Sequence, residues 1–252
     1  MHIAHLTIKN FRALDDIQTD LTPRINVIVG PNAIGKTTIL QALRLAKGVL
    51  APRTQGESQQ ILYSLGAASP NLPERFLTNA LFRDEAKPLE IRCTFRLTDK
   101  EIETLEQAPQ EIARSLVQAR LGQAFANPTA LMRFLNSPVA QQELSVATKE
   151  IDKGLAALRK NKTVVLGITI QASGESNAHN VANSMFVSFL ERALPLQLTL
   201  FSYFPADRAM PMSEGLVNIG GFDIHQQLES HNARPQLKYE RLKNTIFSTV
   251  IR

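Results

Sequence analysis

The sequence predicts an α/β fold built around a phosphate-binding loop, and three observations carry that prediction. Residues 30–38 read GPNAIGKTT, which fits the spacing G-x-x-x-x-G-K-[ST] without a mismatch. The run before it, Arg24 to Val29, is short, apolar and rich in β-branched residues, as in a buried strand. The run after it, Thr38 to Lys47, repeats Ile39, Leu40, Leu43 and Ala46 at helical spacing. Farther along, LEIRCTFRL (89–97) and TVVLGITIQ (163–171) read as further strands.

The elements follow in order. Residues 2–9, HIAHLTIK, read as a strand; Ile17 to Leu21 pairs with it, and Thr22-Pro23 turns into the strand Arg24–Val29. The loop gives way to a helix that ends near Lys47-Gly48. Residues 49–73, broken by three prolines and two glycines, read as a loop with a short helix near Gln59 to Leu65, and Pro73 to Phe82 suits a helix. After the strand at 89–97, Thr98 caps a helix with Glu101 three positions on. From there to Lys160 the chain reads as helices broken near Pro109, Pro128 and Pro138. The strand at 163–171 leads through a polar loop at Ser173 to Ala178 to a helix over Val181 to Ala193. An apolar strand at Leu196 to Phe204 then ends in Pro205-Ala206-Asp207-Arg208. Past Met210 the pattern weakens, with Phe222 to Ser230 and Leu237 to Arg252 suited to helices.

The loop residues have chemical reasons. Gly30 and Gly35 let the backbone turn and approach closely where a Cβ would obstruct it. Pro31, Asn32, Ala33 and Ile34 lie between them, and the amides of residues 32–38 with the helix N-terminus form a concave donor surface for phosphate oxygens. Lys36 adds a full positive charge, and Thr37, followed by Thr38, offers a hydroxyl to Mg²⁺, which prefers hard oxygen ligands. An ordinary glycine-containing βα turn has no need of Lys36 and Thr37 at these positions. The guanine-reading pattern Asn-Lys-x-Asp is not met, since Asn161-Lys162-Thr163 ends in Val164, and this favours ATP.

Composition narrows the setting. The chain has 252 residues, 44% of them apolar, with no Trp and a net charge of +5. The basic residues are dispersed, which suits a mildly basic soluble enzyme better than a dedicated nucleic-acid stripe, although DNA stays a candidate partner. No run approaches a membrane span and the start lacks the features of a signal peptide, so a cytoplasmic location is expected. Cys93 is the single cysteine, and the five histidines show no metal-ligand spacing.

LTIKNFRALDDIQTDLTPRINVIVGPNAIGKTTILQAL (residues 6–43) resembles the N-terminal part of the RecF, SMC and OLD group of ATPases, an ABC-type branch within the AAA family. Asn10-Phe11-Arg12, Asn26, Pro31 and Asn32 match the places that group favours, and Ala33 departs from its usual second glycine. The resemblance implies a RecF-like P-loop NTPase with a mixed sheet and a helical insertion. It divides the chain into a first ATPase lobe with the Walker A loop (1–98), the insertion (99–162) and a continuation of the ATPase domain (163–252). It also implies that Phe11 and Arg12 border the nucleotide; read from the residues alone, they are equally a core phenylalanine and a surface arginine.

The group carries a Leu-Ser-x-Gly signature, an apolar strand ending in Asp-Glu and a switch histidine, and no stretch of these 252 residues matches them well. Asp207 is the best stand-in for the magnesium-shell aspartate, but Pro205 and Ala206 separate it from the strand and Arg208 replaces the glutamate. The expectation is therefore a chain truncated before those motifs, which binds ATP and Mg²⁺ better than it hydrolyses ATP. In the complete protein the resemblance implies an ATP-dependent homodimer, acting in DNA repair or anti-phage defence. The competing expectation is a nucleotide-gated module whose helical region engages a protein or DNA. A small-molecule kinase would need a lid and acceptor pocket, and neither is identified.

Overall fold

The structure, a computed structural model, describes all residues except 33, 55, 70–71, 77, 122–136, 197, 205–223 and 239–252. Its centre is a five-stranded sheet in the order β2-β1-β5-β6-β7. The strands are β1 (His2–Phe11), β2 (Leu14–Asp20), β5 (Leu89–Arg96), β6 (Thr163–Ile170) and β7 (Ser176–His179). Between β2 and β5 the chain adds α1 (Lys36–Leu50), α2 (Glu57–Ser64), the small hairpin β3 (Ala68–Ser69) and β4 (Leu72–Phe76), and a 3₁₀ turn at Thr78–Leu81. Among the described residues four more helices follow: α3 (Asp99–Glu106), α4 (Pro109–Leu121) and α5 (Pro138–Asn161) before β6, and α6 (Val181–Ala193) after β7. A short helix α7 spans Ile224–Glu229.

Alternation decides which face of the sheet is covered. Along β5 the residues Leu89, Ile91, Cys93 and Phe95 are buried while those between them are half-buried or exposed, the period expected of a sheet packed on one side. Leu6 and Ile8 of β1 and Val164, Leu166, Ile168 and Ile170 of β6 join them in one core with Ala42, Leu45 and Ala46 of α1 and Phe186 of α6. The opposite face carries Lys9, Glu90 and Thr169 in one cross-strand row, with Lys9 and Glu90 3.6 Å apart. Helices α3 to α6 pack on one another beside the sheet. A Cβ on Gly154 would lie 2.9 Å from the Phe186 ring, so this glycine lets α5 and α6 close up. Thr98 and Glu101 form the expected reciprocal cap of α3, and Glu101 also receives the Met1 amine at 2.7 Å.

Several expectations are corrected. All described pairings in the five-stranded sheet are antiparallel, so the parallel component of a mixed sheet is not among the described strands. Arg24–Val29, expected as a buried strand, forms no ladder among the described residues, and Ile25, Val27 and Val29 are more than three-quarters exposed. Leu196 to Phe204 is likewise irregular among its described residues. Both runs have β-favouring side chains, but a strand needs a partner that local sequence does not supply. The polar loop at 173–178 partly becomes β7, and the helix expected over Pro73 to Phe82 is instead β4 and the 3₁₀ turn. Of the helix expected over Phe222 to Ser230, residues 222–223 lie outside the described residues and the remainder holds α7, and most of the helix expected over Leu237 to Arg252 also lies outside them.

Candidate functional site

The site is assembled at the first turn of α1. Gly35 is its N-cap at φ 99°, a left-handed conformation, and a Cβ there would sit 2.8 Å from Leu14 Cδ2. Both constraints select glycine. No side chain caps this helix and its first turn holds no acidic residue. Its leading amides, which no helix can pair internally, are left with the positive end of the helix dipole for an anion. Thr37 is exposed and Thr38 half-buried at this turn, and Pro31, Asn32 and Ile34 are exposed around it. Ala33 lies outside the described residues. The Lys36 ammonium folds back to donate to the carbonyls of Gly30, at 2.7 Å, and of Pro31. It therefore lies across the loop it would serve.

The hairpin between β1 and β2 supports the loop from behind. Phe11 is fully buried in the core. Arg12 is half-buried and donates from Nη1 to Gln41 Oε1 at 2.9 Å, one turn beyond Thr37 on α1. Asn10 and Arg12 both occupy left-handed backbone, at φ 55° and 53°. Such non-glycine residues each cost about 1–3 kcal/mol and persist where their surroundings over-determine them. Sequence reasoning noted this triplet but missed what Asn10 does. Its side chain accepts from Asp84 N at 2.8 Å and donates to the carbonyls of Asp84 and Lys87 at 2.8 and 2.7 Å.

The far end of α1 was also missed. Arg44 and Lys47 are buried there. Lys47 meets Glu57 at 2.9 Å and Glu191 at 3.6 Å. Arg44 donates to the carbonyls of Asn232 and Ala233 and to Ser64 Oγ, and lies 4.9 Å from the Tyr203 ring centre. Burial lowers the Arg44 pKa, with Tyr203 and Glu57 acting in the opposite direction. Glu191, with no exposed surface, accepts from Thr199 Oγ1 and Leu200 N, and Arg53 bonds to it and to the carbonyls of Pro195 and Leu198. The signal was two cations placed within an otherwise apolar helical repeat.

Asp207 and Arg208 lie outside the described residues. Among the described residues no group of three or more His, Cys, Asp or Glu could hold a metal. The exposed Thr37 hydroxyl at an uncapped helix start fits a Mg²⁺ that arrives with phosphate and keeps most of its water. Burial pushes the Cys93 thiol up to about 12, so it stays protonated at neutral pH. Among the described residues, no helix is long and apolar enough to cross a membrane.

The sequence is similar to known proteins. A family model described as an AAA ATPase domain matches residues 1–193. The DNA replication and repair protein RecF of Listeria innocua is 25% identical over 158 residues, which is 57% of this chain and 39% of that protein. RecF of Halalkalibacterium halodurans is 38% identical over 61 residues, 24% of this chain and 16% of that protein. RecF of Lactobacillus gasseri is 33% identical over 63 residues, 25% of this chain and 17% of that protein. The chain thus spans well under half the length of these RecF relatives, and the expected RecF likeness is met as a distant one over about half the chain.

Proposed function

The chain belongs to the AAA ATPase domain family, and from that premise we propose that residues 30–38 bind ATP with Mg²⁺. The observation that carries the reading is the first turn of α1: uncapped, free of acidic residues and preceded by a left-handed Gly35. On binding, Lys36 exchanges the carbonyls of Gly30 and Pro31 for phosphate oxygens, and the amides of the loop and first turn donate to the same group. Thr37 supplies one oxygen to the Mg²⁺, which neutralises phosphate charge when bound. Arg12, held along α1 by Gln41, adds a second cation, and the buried Phe11 backs it.

Hydrolysis in this reading is completed by residues beyond those described, in the same polypeptide or a partner. In the complete protein, ATP would join two such domains. The distant likeness to RecF supports testing DNA as a partner.

Calorimetric titration with Mg·ATP tests the site. Lys36→Ala should weaken binding at least about tenfold, the scale of a lost charged hydrogen bond. Its melting temperature without nucleotide should stay near that of the parent, because among the described residues Lys36 bonds only to two exposed carbonyls. Equal affinity in parent and variant, or no binding to the parent, would sink the reading.

A further inference from the structure

The turn that follows the 3₁₀ segment is fastened to the hairpin behind the phosphate loop. Arg12 N donates to Leu81 O at 2.8 Å, Arg83 N donates to Asn10 O at 3.4 Å, and Phe11 and Phe82 form an isolated antiparallel bridge. The Asn10 side chain clamps Asp84 and Lys87 from the same side. Residues 81–87 are therefore held by Asn10, Phe11 and Arg12, the segment whose backbone is left-handed at both ends.

This arrangement carries an arginine to the hairpin that packs against Gly35. Arg83 is exposed, and its Nη1 donates to Ala13 O at 2.8 Å. Ala13 and Leu14 are the residues Gly35 packs against, with Ala13 Cβ 3.8 Å from where a Gly35 Cβ would stand. A guanidinium has five N–H donors in a planar fork suited to phosphate oxygens, and one is committed to Ala13. The neighbouring Asp84 carboxylate is engaged within its own turn, accepting from Ala86 N at 3.0 Å and facing Lys87 at 3.6 Å.

We propose that Arg83 is a second phosphate-contacting arginine of the nucleotide site, beside Arg12, and that Asn10 is the positioning residue that places it there. The proposal rests on the ATP-binding reading above. It also gives the strained Asn10-Phe11-Arg12 backbone a purpose: one short clip presents two guanidinium groups from adjoining turns, one tied to α1 and one to the hairpin.

The test titrates Mg·ATP and, separately, inorganic tripolyphosphate into the parent, Arg83→Ala, Arg83→Lys, Asn10→Ala, the Asn10→Ala/Arg83→Ala double variant and Lys36→Ala. Arg83→Ala should weaken both ligands by about tenfold, Arg83→Lys should recover part of the loss, and the melting temperature without ligand should not move. If Asn10 acts through Arg83, the double variant should bind no more weakly than the weaker single variant. Should Asn10→Ala fail to fold, Asn10→Gly, which accepts the left-handed backbone and removes the clamp, takes its place and should weaken both ligands as Arg83→Ala does. Weaker ATP binding with unchanged tripolyphosphate binding would assign Arg83 to the base or ribose and overturn the proposal. Unchanged affinity for both, with Lys36→Ala still defective, would overturn it while leaving the ATP reading intact. A parent that binds neither ligand would remove the reading on which it stands.

Discussion

The first turn of α1, from Lys36 to Ile39, meets solvent with amides that the helix cannot pair, whereas from Ala42 to Leu50 every residue except Val49 is buried. About 22 Å of helix separates the two ends. At the front, the polar groups wait for a partner that the described residues do not provide. At the back, three cations, two carboxylates and Asn232 interlock with the segments 195–203 and 231–233. Buried ion pairs often add little net stability over apolar packing, but breaking one by removing a partner is costly. The comparison teaches where each property resides: the back end holds the fold together, and the front end is left free to bind.

The comparison breaks most readily at Glu57. It accepts from Lys47, from Arg53 N and from Asn232, so Glu57→Ala should cost about 3–5 kcal/mol, read from the denaturant midpoint. ATP affinity of the folded protein should change by less than about twofold, as expected for distant, independent sites. A comparable loss of affinity would show that the two ends are coupled.

A smaller effect is expected at the front. Gly35→Ala must hold a left-handed conformation and press a Cβ toward Leu14, for a stability cost of about 1–2 kcal/mol. Its loss of ATP affinity should exceed what that cost explains, because the same shift moves the loop amides. Unaltered affinity would mean that loop geometry does not set binding.

The smallest effect concerns pH. Lys238 donates to Ser202 Oγ and to the carbonyls of Tyr203 and His231, and burial pulls its pKa from 10.5 down to about 8. Between pH 8 and 10.5 the unfolded chain therefore holds more protons at this group than the folded chain, so its contribution to stability rises with pH across that window. Lys238→Met should lose this rise, seen as a flatter melting temperature against pH than in the parent. Parallel curves would refute the assignment.

Local signals were legible where the answer was local. The phosphate-loop spacing, the Thr98–Glu101 cap and the helix over Val181–Ala193 needed only neighbouring residues. The strands at 2–11, 89–96 and 163–170 announced themselves by alternation or by apolar runs. What stayed hidden depended on contacts across the chain. Ile25, Val27 and Val29 have strand chemistry, yet composition does not tell which strand would pair with them. Lys47 and Glu191 are 144 positions apart and look like ordinary surface charges in sequence. Asn10 belonged to a recognised triplet, but its clamp on Asp84 and Lys87 depends on a turn more than 70 residues away.

The exposed run Arg24–Val29 has a practical consequence for anyone purifying this chain. Three aliphatic residues, Ile25, Val27 and Val29, are each more than three-quarters exposed on a run that joins no ladder among the described residues. Such a surface is a template for fibril-like stacking of one copy on the next. Among the described residues this run is therefore a place where concentration and shelf life are limited, and Val27→Lys is the simplest gatekeeper to install before crystallisation or long titrations.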